Sequence, residues 1–318
     1  MQEIRDTYGR SFRTLRVSLV SHCNLGCVYC VSGDDELRKE NAHAAGLKTP
    51  ALLQLIRRLH EQLGLETVRL TGGEPLLFGG LTELIKGIKD IGIPSVRLTT
   101  NGFLLERLAM PLKAAGLSAI NVSLDAVDEE VFFRISRRHS VQRIIRAIDA
   151  ALQAELSVKI NTVVMRGIND SQILPLLDLA FSRNIRIRFL EVMAMGHLHD
   201  HAGALLFSQE EILSVIAGRY AFRPLGRKGS TTASYWQTEE GHSFGIIANE
   251  SQPFCRDCDR LRLDSMGNIY GCLSSNHPIA LQEEDSEEEW KEKLKQALAQ
   301  KQALRFVGSE LSMLHIGG

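Results

Sequence analysis

Thr67-Val68-Arg69-Leu70-Thr71-Gly72-Gly73-Glu74-Pro75 alternates polar and apolar side chains over five residues and then breaks at a glycine pair. Successive side chains of a strand point to opposite faces. Val68 and Leu70 therefore share one face, and Thr67, Arg69 and Thr71 the other. Working outward, similar β-rich runs occur at residues 14–20, 95–100, 118–125, 157–165 and 185–193. One face carries Val17 and Leu19, Val96 and Leu98, Val122 and Leu124, Val158 and Ile160. The other carries Arg16 and Ser18; Ser95, Arg97 and Thr99; Asn121, Ser123 and Asp125; Ser157, Lys159 and Asn161. Arg186 and Arg188 extend the pattern less cleanly.

Amphipathic stretches separate these runs. The first places Leu52, Leu55, Ile56, Leu59 and Leu63 at helical spacing behind Thr49 as N-cap and Pro50 at the first helical position. Others cover about 81–91, 104–115, 140–155 and 170–183. Repeated βα units mean a parallel sheet. A doubly wound sheet buries both faces and reads as continuous apolar runs, which these strands do not. The expected fold class is therefore α/β, an incomplete (βα)6 TIM-like barrel with a polar interior, two units short of a full barrel. The 318 residues leave room for an extension, and the expected division is 1–223 and 224–318.

A lumen holding Arg16, Arg69, Arg97 and Lys159 is costly unless something anionic enters it, because an unpaired buried charge costs several kcal/mol. Glu74, Asp125 and Glu191 are candidate counter-charges. The remaining excess points to a polyanionic small molecule such as a nucleotide. In parallel barrels the site lies at the C-terminal ends of the strands. There the chain places Gly72-Gly73-Glu74-Pro75, where missing side chains let a ligand approach the backbone. Thr99-Thr100-Asn101-Gly102, Ser123 with Asp125, and Glu191 with Met193 lie on the same rim.

All six cysteines fall into two triplets, Cys23, Cys27 and Cys30 after the first strand, and Cys255, Cys258 and Cys272 near the other end. An iron–sulfur cube normally takes four thiolates, so three leave one iron open to another ligand. Zinc favours a closed tetrahedral shell in structural sites. The first triplet's spacing is unlike a zinc ribbon's, whereas Cys255-x2-Cys258 with His277 nearby leaves zinc open for the second. Met1–Asp6 is polar, without a secretory core, and no apolar run approaches the ~18 residues of a membrane span. Crowded thiols in such a chain read as ligands in a reducing cytoplasm. A net charge of −1 gives no basic field to draw nucleic acid or membrane.

Beyond Met193 the barrel rhythm stops. His197, His199 and His201 hint at a metal but suit a solvent-facing loop better. Ser208 and Glu211 form a capping box for a helix to about 219, and 224–249 reads as a linker followed by a hairpin-like return. Arg260 and Arg262 alternate along 259–263. Ser286 and Glu289 open a last helix whose buried stripe is Trp290, Leu294, Ala297 and Leu298; the acidic run at its start suits the helix dipole. The chain ends Ile316-Gly317-Gly318, either a loose terminus or a strand of backbone slim enough to thread into a site.

Cys23-x3-Cys27-x2-Cys30 with Tyr29, and Gly72-Gly73-Glu74-Pro75, resemble the motifs of radical S-adenosylmethionine (SAM) enzymes. Leu15-Arg16, Val68–Pro75, Thr99–Gly102, Asn121–Asp125, Lys159–Val163, Arg188–Glu191, Phe254–Arg262 and the double-glycine tail narrow the resemblance to the GTP 3′,8-cyclase family of molybdenum cofactor biosynthesis. That resemblance implies a [4Fe-4S] cluster on each triplet and favours iron over zinc at the second. It implies SAM on the open iron of the first cluster, held by the Tyr29 backbone, Gly73, Ser123 and Met193. It implies a 5′-deoxyadenosyl radical that takes hydrogen from C3′ of the GTP ribose, and closure of a ring onto C8. By the same resemblance Arg16, Arg69, Thr99, Lys159, Arg260 and Arg262 contact GTP, and guanine binds the second cluster's open iron. The implied partners are an external low-potential electron donor and the next enzyme of the pathway, with the chain a monomer or homodimer. The sequence departs from the family at Val20-Ser21-His22, Val31-Ser32 and Ala194. The competing readings are a radical SAM enzyme acting on another substrate such as a peptide, and a non-catalytic iron–sulfur sensor.

Overall fold

Six parallel strands, β1 (Thr14–Ser18), β2 (Thr67–Thr71), β3 (Ser95–Thr100), β4 (Ala119–Ser123), β5 (Ser157–Val164) and β6 (Arg186–Glu191), pair in chain order. The computed structural model describes residues 4–33 and 46–317. Between the strands run α1 (Thr49–Leu63), α2 (Leu81–Asp90), α3 (Leu105–Ala114), α4 (Glu129–Ser136), α5 (Val141–Gln153) and α6 (Ile173–Ser182). The outward strand faces lie in the core: Val17, Val68, Leu70, Val96, Leu98, Val122 and Ile160 are all fully buried. Leu52, Leu55, Ile56, Leu59 and Leu63 of α1 meet that layer, each such side chain contributing about 1.5–3 kcal/mol on burial. The alternation read from sequence thus sorts the helix-facing from the interior-facing residues.

Two local expectations are corrected. Thr49 lies inside α1, whose N-cap is Lys48 with no side-chain cap bond; Pro50 therefore occupies the second position, where its missing N–H still costs nothing. Helix α4, which the sequence reading left out, starts at Asp128, whose side chain accepts from the Val131 amide at 2.9 Å.

The C-terminal part completes the sheet at both edges. β7 (Phe222–Gly226), β8 (Ser234–Thr238) and β9 (Ser243–Ile247) form an antiparallel meander, and β9 then pairs in parallel with β6. On the other side β10 (Arg260–Leu263) pairs in parallel with β1, followed by β11 (Asn268–Tyr270) and β12 (Ile279–Ala280) running antiparallel. The order β10-β1-β2-β3-β4-β5-β6-β9 puts eight parallel strands side by side within a twelve-stranded sheet. Residues 224–226, read as linker, belong to a bulged edge strand.

Both capping boxes form, at Ser208 with Glu211 and at Ser286 with Glu289. The helix Glu287–Ala299 docks by its fully buried Trp290, over which the Arg58 guanidinium of α1 stacks at 4.1 Å.

Candidate active site

The first cysteine loop is clamped from four sides. Gly26 and Val28 amides donate to Ser136 and Ile135 carbonyls at the end of α4, at 3.0 and 2.9 Å. His197 Nε2 lies 2.9 Å from the Val28 carbonyl, and Tyr29 donates its hydroxyl to Asp125 at 2.7 Å. From β2, the Gly73 and Glu74 amides donate to Val20 and His22 carbonyls at 2.6 and 2.9 Å. A Cβ on Gly73 would stand 2.1 Å from the His22 carbonyl oxygen. The neighbour that requires the glycine here is the cysteine loop's own backbone.

The thiols suit a cluster's sulfur ligands. Cys23 Sγ faces two N–H donors, the Leu25 amide at 3.4 Å and Asn101 Nδ2 at 3.6 Å, and hydrogen bonds to sulfur are one means of setting cluster potential. Burial, with Glu74 nearby, pushes the Cys23 thiol up to about 12. Burial together with Cys30, Asp125 and Cys23 raises Cys27. Such thiols stay protonated unless metal displaces the proton.

At the second triplet, burial pushes the Cys255 thiol up to about 11, with Cys272 and Cys258 adding to it. Cys258 goes the other way: burial opposes ionisation, but Lys301 and Arg260 outweigh it and bring the thiol down to about 6. Lys301 Nζ is 3.3 Å from Cys258 Sγ. His277 is exposed, and among the described residues no three Cys, His, Asp or Glu side chains converge as a single metal ion requires. A cube gives each thiolate its own iron, so each triplet would supply three of a cube's four protein ligands. His197, His199 and His201 do not gather on a metal either; His197 holds the cysteine loop and His199 pairs with Asp200.

The interior face collects cations in register. Arg16 pairs across the backbone with Arg69 on one side and Arg262 on the other, and Arg69 with Arg97. The Arg16 Nε is sealed from solvent without a partner. Burial, then Arg262, Arg69 and Arg260, press its ionisation well down. A guanidinium nevertheless keeps its proton, so burial and the neighbouring arginines leave it an unfavourable charge that an anion would offset. Burial with Arg188 and Arg186 brings Lys159 to about 8. Thr99 Oγ1 accepts from Arg69 at 3.5 Å and from Asn121 at 3.4 Å.

The three candidate counter-charges are spent elsewhere, which corrects their reading. Glu74 accepts from Thr100 Oγ1, the Asn101 amide and the Leu76 amide at 2.5, 2.8 and 3.0 Å, and burial still lifts it to about 7. Asp125 accepts from Tyr29 and the Val163 amide, and burial lifts it to about 6. Glu191 accepts from the Gln209, Glu250 and Ser251 amides, each at 2.9 Å. Among the described residues no carboxylate pairs with Arg16, Arg69 or Lys159.

The tail enters this interior. The short helix Met313–Ile316 packs on β1, and Arg262 Nη1 donates to the Ile316 carbonyl at 3.1 Å and to that of Gly317. A Cβ on Gly317 would meet Thr71 Oγ1 at 2.1 Å, so only glycine passes. Gly318 lies outside the described residues. Arg260 donates to the Ser230 carbonyl at 3.1 Å. Met193 packs beside Met195, Tyr270, Phe306 and Ile316, while Ser123 ends β4 opposite Asn161.

Comparison with known proteins places the chain among relatives. Residues 17–180 match the radical SAM superfamily, and residues 185–306 the family described as Molybdenum Cofactor Synthesis C. A GTP 3′,8-cyclase of Synechocystis sp. is 37% identical over 98% of this chain and 94% of its own length. One from Staphylococcus carnosus is 38% identical over 86% and 82%. Among solved structures, Streptococcus suis SuiB bound to precursor peptide SuiA superposes with a TM-score of 0.60 at 14% identity, covering 83% of this chain and 60% of that one. The native anSMEcpe structure with bound AdoMet gives 0.56 at 15% identity, covering 89% and 82%. At such identity these two speak for the fold alone.

Proposed function

This chain belongs to the radical SAM superfamily and, within it, to the GTP 3′,8-cyclases, and on that premise we propose how its residues divide the reaction. It is a lyase of molybdenum cofactor biosynthesis that converts GTP to (8S)-3′,8-cyclo-7,8-dihydroguanosine 5′-triphosphate, with SAM and two [4Fe-4S] clusters as cofactors. When bound, the first cluster and SAM supply one-electron reduction and hydrogen abstraction from the ribose.

Cys23, Cys27 and Cys30 hold the first cluster, and the Tyr29 backbone, Gly73, Ser123 and Met193 hold SAM. Cys255, Cys258 and Cys272 hold the second. Arg16, Arg69, Thr99, Lys159, Arg260 and Arg262 bind GTP. One observation carries this division: the register that lines up Arg262, Arg16, Arg69 and Arg97, with the nearby carboxylates committed to amides and hydroxyls. A triphosphate is the polyanion those cations lack. Holding C3′ and C8 in place by such contacts contributes roughly 7–11 kcal/mol to lowering the barrier, and the tail on Arg262 helps keep water out.

The division at residues 1–223 and 224–318 assigns SAM to the first part and the second cluster to the other, although the boundary falls within β7 and the second part lends β9 and β10 to the common sheet. The reducing electron is supplied by an external low-potential donor. The product passes to the next enzyme of the pathway. The working form is a monomer or homodimer in the cytoplasm, where thiols stay reduced. No helix among the described residues is long and apolar enough to cross a membrane. The test is anaerobic reconstitution followed by incubation with SAM and a reductant. Release of 5′-deoxyadenosine with GTP, and not with ATP or peptide, supports this reading; release with peptide favours a diverged enzyme, and none at all a sensor.

A further inference from the structure

Lys301 is 6% exposed, yet among the described residues its ammonium meets no carboxylate. Its contacts are Cys258 Sγ at 3.3 Å, the Arg260 carbonyl at 2.6 Å and the Phe12 ring at 5.0 Å. A buried cation without an anion is expensive, and the region already holds Arg16, Arg260 and Arg262. The anion that justifies it is the sulfur it points at.

The surrounding backbone is built to deliver it. A Cβ on Gly271, next to Cys272, would stand 1.7 Å from the Ala297 carbonyl oxygen, so the end of the helix Glu287–Ala299 sits directly on the second cysteine loop. Gln300 then clips that loop twice, accepting from the Gly271 amide at 2.9 Å and donating to the His277 carbonyl at 2.8 Å. Arg10 joins the Cys255 and Gln302 carbonyls, at 2.6 and 3.2 Å. Lys301, between Gln300 and Gln302, is fixed by both neighbours.

We propose that Lys301 is a positioning residue of the second cluster, its charged N–H···S contact to Cys258 offsetting the negative charge of the tris-thiolate cube and raising its reduction potential. It simultaneously holds the backbone of Arg260, so cluster and substrate arginine keep one geometry. Hydrogen bonds and charge at the sulfurs are established levers on cluster potential. The proposal rests on Cys255, Cys258 and Cys272 holding a cluster.

The full chain with Cys23, Cys27 and Cys30 all changed to Ala isolates the second cluster. Its midpoint is read by anaerobic potentiometric titration with electron paramagnetic resonance, in otherwise unchanged protein and in Lys301→Met, Lys301→Gln and Lys301→Arg. The Met variant is expected to make one-electron reduction at least tenfold harder, a fall of about 59 mV. Gln, a donor without charge, falls between, and Arg stays near the unchanged protein. Equal midpoints in the Met and unchanged proteins overturn the proposal. If the Met variant takes up no cluster, the Arg variant decides: recovery of cluster and midpoint supports the charge's role, and failure like Met's overturns it. Absence of any cluster with Lys301 intact instead overturns the assignment of the three cysteines.

Discussion

Replacing Arg16 by Met should make the substrate-free enzyme more stable and a worse binder of GTP, two effects of opposite sign from one side chain. Arg16 is paired in register with Arg69 and Arg262, and neighbouring strands lie about 4.8 Å apart. At a charge separation of ~7 Å, a like-charged neighbour costs about 2 kcal/mol at an effective dielectric of ~20. Part of Arg16 reaches solvent and the clusters add negative charge, so the relief is set at about 1–3 kcal/mol. Methionine keeps most of the apolar stem. For a chain of this length that corresponds to a rise in Tm of roughly 2 °C per kcal/mol. Against it, losing a buried charge contact to phosphate costs about 2–5 kcal/mol, a weakening of Kd by about thirtyfold to several-thousandfold. Anaerobic calorimetry of the loaded protein, by thermal scan without GTP and by titration with it, reads both. A variant that melts below the unchanged protein without GTP would show the guanidinium to be a structural asset. Unchanged affinity would remove it from the GTP site.

Glu191→Ala orphans three backbone amides held at 2.9 Å between β6, the helix at Gln209 and the turn at Glu250–Ser251; at about 1–3 kcal/mol per group and less than additive, the loss in urea unfolding should be about 3–5 kcal/mol, and a loss under about 1 kcal/mol contradicts the clamp. Lys159, at about 8 when no anion is near, is partly neutral in weakly alkaline solution. A triphosphate raises its pKa, so GTP binding near pH 8 should take up protons, an uptake that fades at lower pH where the lysine is already charged. Titration calorimetry in two buffers of different ionisation enthalpy measures the uptake, and an equal uptake in Lys159→Met rules the lysine out.

Much of this was legible in the chain because period-two alternation is local. Val68 and Leu70 had to face the helices and Arg69 the interior, and all six core strands begin and end within about two residues of the sequence expectation. The joining of β9 to β6 and of β10 to β1 was not legible, since pairing across tens of residues leaves no periodic trace. Nor were the partners of Glu74, Asp125 and Glu191: a buried carboxylate among arginines reads as a counter-ion, yet amides and hydroxyls brought in by loops won the contest. The glycine pair reads as room for a ligand, but a second demand on it, the close approach of the Val20 carbonyl to Gly72 and of the His22 carbonyl to Gly73, is invisible until the loop is folded. The eight residues of helix α4 are too few for a clear apolar period, and its one sequence signal is Asp128 followed by Glu129 and Glu130 at the N-terminus. His197 and Lys301 carry no motif; only folding reveals which loop each one holds.

The most direct test of two clusters facing one cationic chamber is product analysis of Cys255→Ala, loaded anaerobically and given GTP, SAM and a reductant. The account predicts that 5′-deoxyadenosine is still released while no cyclised nucleotide forms. Cyclised product at the rate of the unchanged enzyme would contradict it.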